Sequence, residues 1–119
     1  MKLAIVGSRG FNDYSLLQNT IKSLSIDIST IISGGAKGAD SLAKQYAIEN
    51  ELELIEFIPD WNKYGLKAGM LRNTDIINEA DCVIAFWDSK SIGTKDSIIK
   101  AKKSNKLLKV LEYNKTSLF

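Results

Sequence analysis

The chain contains no histidine and a single cysteine in 119 residues. Without histidine there is no Ser-His-Asp triad and no histidine-based metal centre. One cysteine cannot close an intrachain disulfide or build a zinc finger, and Cys82 stands in an apolar run where it reads as core. Any chemistry must therefore use carboxylates, lysine, arginine, hydroxyls or backbone amides. Charge of one sign is also scarce: 16 basic against 14 acidic residues leave a net +2, which argues against nucleic acid or a membrane surface as a partner. No apolar window approaches a transmembrane span. The apolar start, Met1 to Gly7, is too short for a signal peptide and runs at once into a glycine-arginine loop, so the expectation is a first strand and a cytoplasmic protein.

What is present is ordinary for a globular fold, with 45% hydrophobic and 25% charged residues. The length suits one compact domain over residues 1–119 that needs neither disulfide nor metal to fold. Short apolar runs alternate with amphipathic segments throughout. Leu3–Val6, Ile28–Ile32, Leu54–Ile58, Cys82–Phe86 and Leu107–Leu111 read as strands buried on both faces. Helical stripes fall between them. They are Leu17, Thr20, Ile21 and Leu24; Leu42, Ala43, Tyr46 and Ala47; Met70, Asn73, Ile76, Ile77 and Ala80; and a more polar segment, Lys95 to Ser104, packing through Ile98, Ile99 and Ala101. This βαβαβαβαβ pattern predicts an α/β, Rossmann-like three-layer sandwich: a five-stranded parallel sheet of order 3-2-1-4-5, with 2-1-3-4-5 as the rival. The tail, Asn114 to Phe119, reads as frayed or engaged in a subunit contact.

Glycines and polar residues gather just after the strands. Gly7-Ser8-Arg9-Gly10 follows the first strand, Ser33-Gly34-Gly35-Ala36-Lys37-Gly38-Ala39-Asp40 the second, Pro59 to Gly69 the third and Trp87 to Lys95 the fourth. The opposite end carries no such clusters. In open α/β sheets ligands bind beyond the carboxyl ends of the strands. Three glycines in five positions, running into a helix, suit close approach of a phosphate or carboxylate to backbone N–H groups. Neither a Walker A loop nor G-x-G-x-x-G is present. The glycines could equally serve tight turns.

Arg72, near the start of a helix, has two readings: a bidentate phosphate ligand, or a surface arginine paired with Asp75 or Asp81. Thr94 is either a helix N-cap or a donor to a ligand. Trp61, Tyr64 and Trp87 are candidates to stack on a base, or packing residues.

Together, Ile5 to Phe11, Ile32 to Asp40, Lys67 to Asn73 and Ala80 to Thr94 resemble, in order and over nearly the whole chain, the SLOG superfamily. That superfamily joins the DprA/Smf proteins to the Lonely Guy phosphoribohydrolases, and the match is to its small YspA/YpsA-like branch. The resemblance implies a Rossmann-like fold whose glycine loops bind nucleotides or nucleotide-derived signals, with no required cofactor. It also implies self-association as a homodimer or larger homo-oligomer. Lonely Guy-type enzymes carry Pro-Gly-Gly-x-Gly-Thr-x-x-Glu and an arginine on the preceding helix. Arg72, Gly93 and Thr94 match that pattern; the Pro-Gly-Gly portion is replaced around Lys90, and Ser97 stands at the glutamate position. Asp96 is adjacent, but neighbouring helical residues point about 100° apart.

The expected function is binding of a nucleotide or ADP-ribose-like phosphate ligand, for sensing or sequestration. The expected contacts are Gly7, Ser8, Arg9, Gly34, Gly35, Ala36, Lys37, Gly38, Asp40, Arg72, Asn73, Trp87, Gly93 and Thr94, with no metal. Hydrolysis of a nucleoside 5′-monophosphate is the alternative, with Arg72, Asp96 and Asp40 as candidate catalytic groups and Asp60 and Asp88 as further acids. DprA-like DNA binding ranks third.

Overall fold

A computed structural model describes residues 1–113. The reading of Asn114 to Phe119 lies outside the described residues. Five strands form one parallel sheet: β1 (Lys2–Gly7), β2 (Thr30–Ser33), β3 (Glu53–Glu56), β4 (Cys82–Trp87) and β5 (Leu107–Glu112), in the order β3-β2-β1-β4-β5. The doubly wound order expected from the sequence is the one found.

Strand side chains alternate between faces, and that alternation builds two cores from continuous apolar runs. Leu3 and Ile5 of β1 face one way, with Ile31, Ile84 and Phe86, against α1 (Tyr14–Ser23) and α2 (Ala39–Glu49). Ala4 and Val6 face the other, with Ile32, Val83 and Ala85, against α4 (Ala68–Glu79) and α5 (Ile92–Lys103). Helix, sheet and helix thus make three layers.

Several local expectations are corrected. β3 and β5 are the sheet edges and are only partly buried, so burial on both faces holds for β1, β2 and β4 alone. Ile28 and Ile58 lie outside the strands, and Ile58 is exposed. Met70 and Ile99 sit on the outer sides of α4 and α5 rather than in the core. The stretch after β3 is not a plain loop: α3 (Trp61–Tyr64) and a 3-10 turn (Gly65–Lys67) lead directly into α4. Asp60 starts α3 by accepting from the Lys63 N–H at 3.1 Å.

Candidate functional site

Loops from the carboxyl ends of the strands enclose a cleft of about 410 Å³ at the switch point between β1 and β4. Its floor includes Val6, Gly7 and Ile76, and its walls come from loops separated by most of the chain. Those loops are fastened to one another through Ser8. The Ser8 N–H donates to the Phe86 carbonyl at 2.9 Å, its carbonyl accepts from Ala39 N–H at 3.3 Å, and its hydroxyl accepts from Asp88 N–H at 3.1 Å. Two glycines make this closeness possible. A Cβ at Gly7 would meet the Ala39 Cβ at 2.5 Å, and one at Gly38, where φ is +73°, would strike the Ser8 and Arg9 carbonyls.

Not all of the sequence-expected contacts reach the cleft. Gly7, Arg9, Ala36, Asp40, Arg72, Asn73, Gly93 and Thr94 line it. Ser8 is buried beneath it with its backbone and hydroxyl engaged, as described. Gly34 is buried as well, while Gly35 and Lys37 are exposed and, like Gly38, stand outside the lining. The glycine loop therefore shapes the cleft more than it faces it. Trp87 is also outside the lining; its indole N–H donates to the Ser91 carbonyl at 3.0 Å.

Arg72 pairs with neither Asp75 nor Asp81. Its Nη1 donates to the carbonyls of Gly34 at 2.7 Å and Phe57 at 3.3 Å, and its Nε to Asn73 Oδ1 at 3.1 Å. It lies on the fifth residue of α4, past the first turn. Burial draws its guanidinium below the ordinary value, and the nearby Asp40 opposes that shift. Asp40, in the first turn of α2, is buried and accepts from the Ala36 N–H at 3.1 Å. Burial pushes its carboxyl up; the Ala36 amide and Arg72 only partly offset this.

On the α5 side the true N-cap is Ser91, whose hydroxyl accepts from Thr94 N–H at 3.4 Å, so Thr94 sits inside the first turn rather than at the cap. Asn73 Nδ2 donates to the Gly93 carbonyl and to Asp96 Oδ2, both at 3.2 Å, which ties α4 to α5. Asp96 is further engaged by Lys100 Nζ at 2.8 Å and does not line the cleft, whereas Ser97 does. Asp60 caps α3, and Asp88 lines the cleft while accepting from the N–H groups of Lys90 and Ser91 at 2.9 and 2.8 Å. Gly10, Gly69, Ser91 and Ser97 also line the cleft, beyond the contacts expected from the sequence. Of these, Ser91 carried a signal, a hydroxyl three residues before Thr94 at a helix start.

Fold and sheet order define a Rossmann-like domain. Residues 1–64 match the model of the YspA, cpYpsA-related SLOG family, YAcAr, and the chain belongs to that family. It is similar to the Gene 61 protein of Mycobacterium phage D29, with 35% identity over 80 residues, or 62% of this chain and 64% of the phage protein. The matched region thus spans under two thirds of that relative's length. Among solved structures it resembles DNA processing protein A from Helicobacter pylori, with a TM-score of 0.71 and 26% identity over 98% of this chain and 68% of that one.

The last likeness overturns one expectation. Nucleic acid was set aside on the small net charge, yet this structural neighbour is described by its single-stranded DNA binding mode. Net charge averages over a whole surface, whereas binding depends on where cations stand. Here Arg9, Lys37, Lys63, Lys67, Lys90 and Lys95 all follow the carboxyl ends of strands, and all are exposed. No helix among the described residues is long and apolar enough to cross a membrane.

Proposed function

We propose that this cleft binds a nucleotide or a nucleotide-derived phosphate ligand, ADP-ribose-like molecules included, with its phosphate at the start of α5. The observation that carries this reading is Gly93. Its φ is not in the left-handed region, and a Cβ there would meet nothing within 4 Å, so neither backbone nor packing requires glycine. Yet glycine costs about 1 kcal/mol relative to alanine inside a helix. Gly93 lines the cleft as the second residue of α5, where backbone N–H groups lack helical partners and the helix end favours an anion. A bare Cα at that point leaves room for a ligand. Thr94 and Ser91 offer hydroxyls beside it, and Arg9 adds an exposed cation.

Thermal-shift titration with nucleoside monophosphates, NAD and ADP-ribose tests this. A ligand at about 100 times its Kd stabilises the fold by about 2.7 kcal/mol, several degrees in a domain of this size. No shift with any of them at near-millimolar concentration removes the reading. Turnover has less support, because Ser97 occupies the position of the resembled glutamate and Asp96 is held by Lys100 and Asn73. Release of free base from a nucleoside monophosphate, followed by chromatography, would reverse that ranking.

A second reading, single-stranded DNA binding, is favoured by the likeness to DNA processing protein A and by the exposed cations beyond the carboxyl ends of the strands. It predicts retardation of oligo-dT whose affinity falls as salt rises. Absence of any retardation at low salt rejects it.

A further inference from the structure

Trp61 and Tyr64 follow β3 and Trp87 ends β4, and the structure separates the roles of these three aromatic side chains. Trp87 is bonded through its indole N–H to Ser91 and stands outside the cleft. Tyr64 lies under Lys63 Nζ, 5.1 Å from the ring centroid, and is also outside. Trp61 alone of the three lines the cleft, and it remains 51% exposed.

An indole left half in water forgoes much of its hydrophobic gain, unless something planar covers it. Its placement is nonetheless controlled. Asp60 caps the short helix that begins with Trp61, and the ring edge rests over Gly69, where an added Cβ would lie 3.5 Å from Cη2. Val6 and Ile76 supply further apolar surface in the same cleft, and Gly93 and Thr94 line it at the start of α5.

We propose that Trp61 is the base-stacking wall of the cleft, holding a nucleobase against its exposed face while the attached phosphate lies at the start of α5. This rests on the nucleotide reading above and narrows it to base-bearing ligands. A base supplied by a free nucleotide and one supplied by a single strand of DNA present the same π-face, so the test carries an arm for each.

The chain has two tryptophans, so indole fluorescence reports on Trp61 and Trp87 alone. Titration with AMP or with oligo-dT quenches the wild-type emission, and the quench disappears in Trp61→Phe, where Trp87 is the remaining fluorophore. By calorimetry, Trp61→Leu binds the base-bearing ligand about tenfold more weakly, whereas Trp61→Phe stays within a few-fold of wild type. Ribose 5-phosphate, which has no base, binds wild type and Trp61→Leu alike. Quenching by AMP but not oligo-dT assigns the base to a free nucleotide, and the converse to a DNA strand. Matching melting temperatures of the free variants show that the losses are not failures to fold.

A quench that persists in Trp61→Phe, or full AMP and oligo-dT affinity in Trp61→Leu, overturns the proposal. If ribose 5-phosphate binds as tightly as AMP, the stacking role falls and the phosphate reading stands. If none of the three binds, both fall. A wild-type dimer that Trp61→Leu dissociates, with nucleotide affinity intact, assigns the indole to a subunit contact and also ends the proposal.

Discussion

Arg72 lies directly over Gly34: its Nη1 donates to the Gly34 carbonyl at 2.7 Å, and a Cβ at position 34 would lie within 2.8 Å of its Cζ. Asp40 Oδ2 would stand 2.9 Å from the same Cβ. Glycine at 34 is thus set by a side-chain contact from α4 and not by backbone conformation, since its φ is not positive.

Gly34→Ala should therefore displace the guanidinium and destabilise the fold by about 1–3 kcal/mol, as over-packed sites do. Arg72→Gln should cost a comparable amount, because it leaves the Gly34 carbonyl buried without its donor, at about 1–3 kcal/mol. Urea denaturation measures both. Since the two changes act on one contact, the double variant should lose less than the sum.

Asp40 supplies a pH dependence. Its folded pKa lies above the ordinary 3.8, chiefly through burial. The folded state therefore holds the proton more tightly than the unfolded chain, and Asp40 costs stability as pH rises through the window from 3.8 to its folded value. Asp40→Asn removes that cost while keeping an acceptor for the Ala36 N–H. The melting temperature of the variant relative to wild type should rise with pH above 3.8 and level off beyond the folded pKa. A flat difference across that window would show that Asp40 is not strained by burial.

Gly38 and Gly93 should respond in opposite directions to alanine. At Gly38 the positive φ and the Ser8 and Arg9 carbonyls leave no space, so Gly38→Ala should cost about 3 kcal/mol or more. Gly93→Ala should stabilise the free protein by about 0.5–1 kcal/mol and weaken ligand binding. Denaturation curves with and without ligand separate the two effects.

Several helix ends turn through left-handed residues that are not glycine: Ser25, Glu51 and Asn105 have φ of 53°, 55° and 56°. Glu51 follows α2 and is exposed, so nothing in packing demands its side chain. Glu51→Gly should relieve about 1 kcal/mol of backbone strain, read as an upward shift in the urea midpoint.

The sheet was legible because buried strands must be apolar on both faces, which leaves an unbroken run such as Leu3 to Val6. The partial exposure of β3 and β5 is implied by the expected strand order, which puts both at the edges, but the apolar run of each segment taken alone looks like that of a buried strand. Tight turns were one of two readings of the glycine loops, and the junction of Gly7 and Gly38 bears that one out, but nothing in the sequence marks Gly35 and Lys37 as standing outside the cleft lining. Arg72 was the least readable residue. Its acceptors are the backbone carbonyls of Gly34 and Phe57, which carry no residue-type signature, so carboxylates nearby in sequence looked like its partners. Asp96 and Ser97 were better resolved: the angular offset of adjacent helical residues separates the one facing the cleft from the one facing Lys100.

The fastening through Ser8 bears on how a ligand would be received. Its bonds to Phe86 and Ala39 are main-chain to main-chain, and its buried hydroxyl accepts from the Asp88 N–H, so the segments after β1 and β2 are fastened to the end of β4 and the loop beyond it. The cleft is braced without a ligand, so on the proposed reading association need not spend free energy on ordering those loops. The amides of Ser8 and Ala39 should then exchange with solvent only when larger units of the fold open, at similar rates whether the cleft is empty or full.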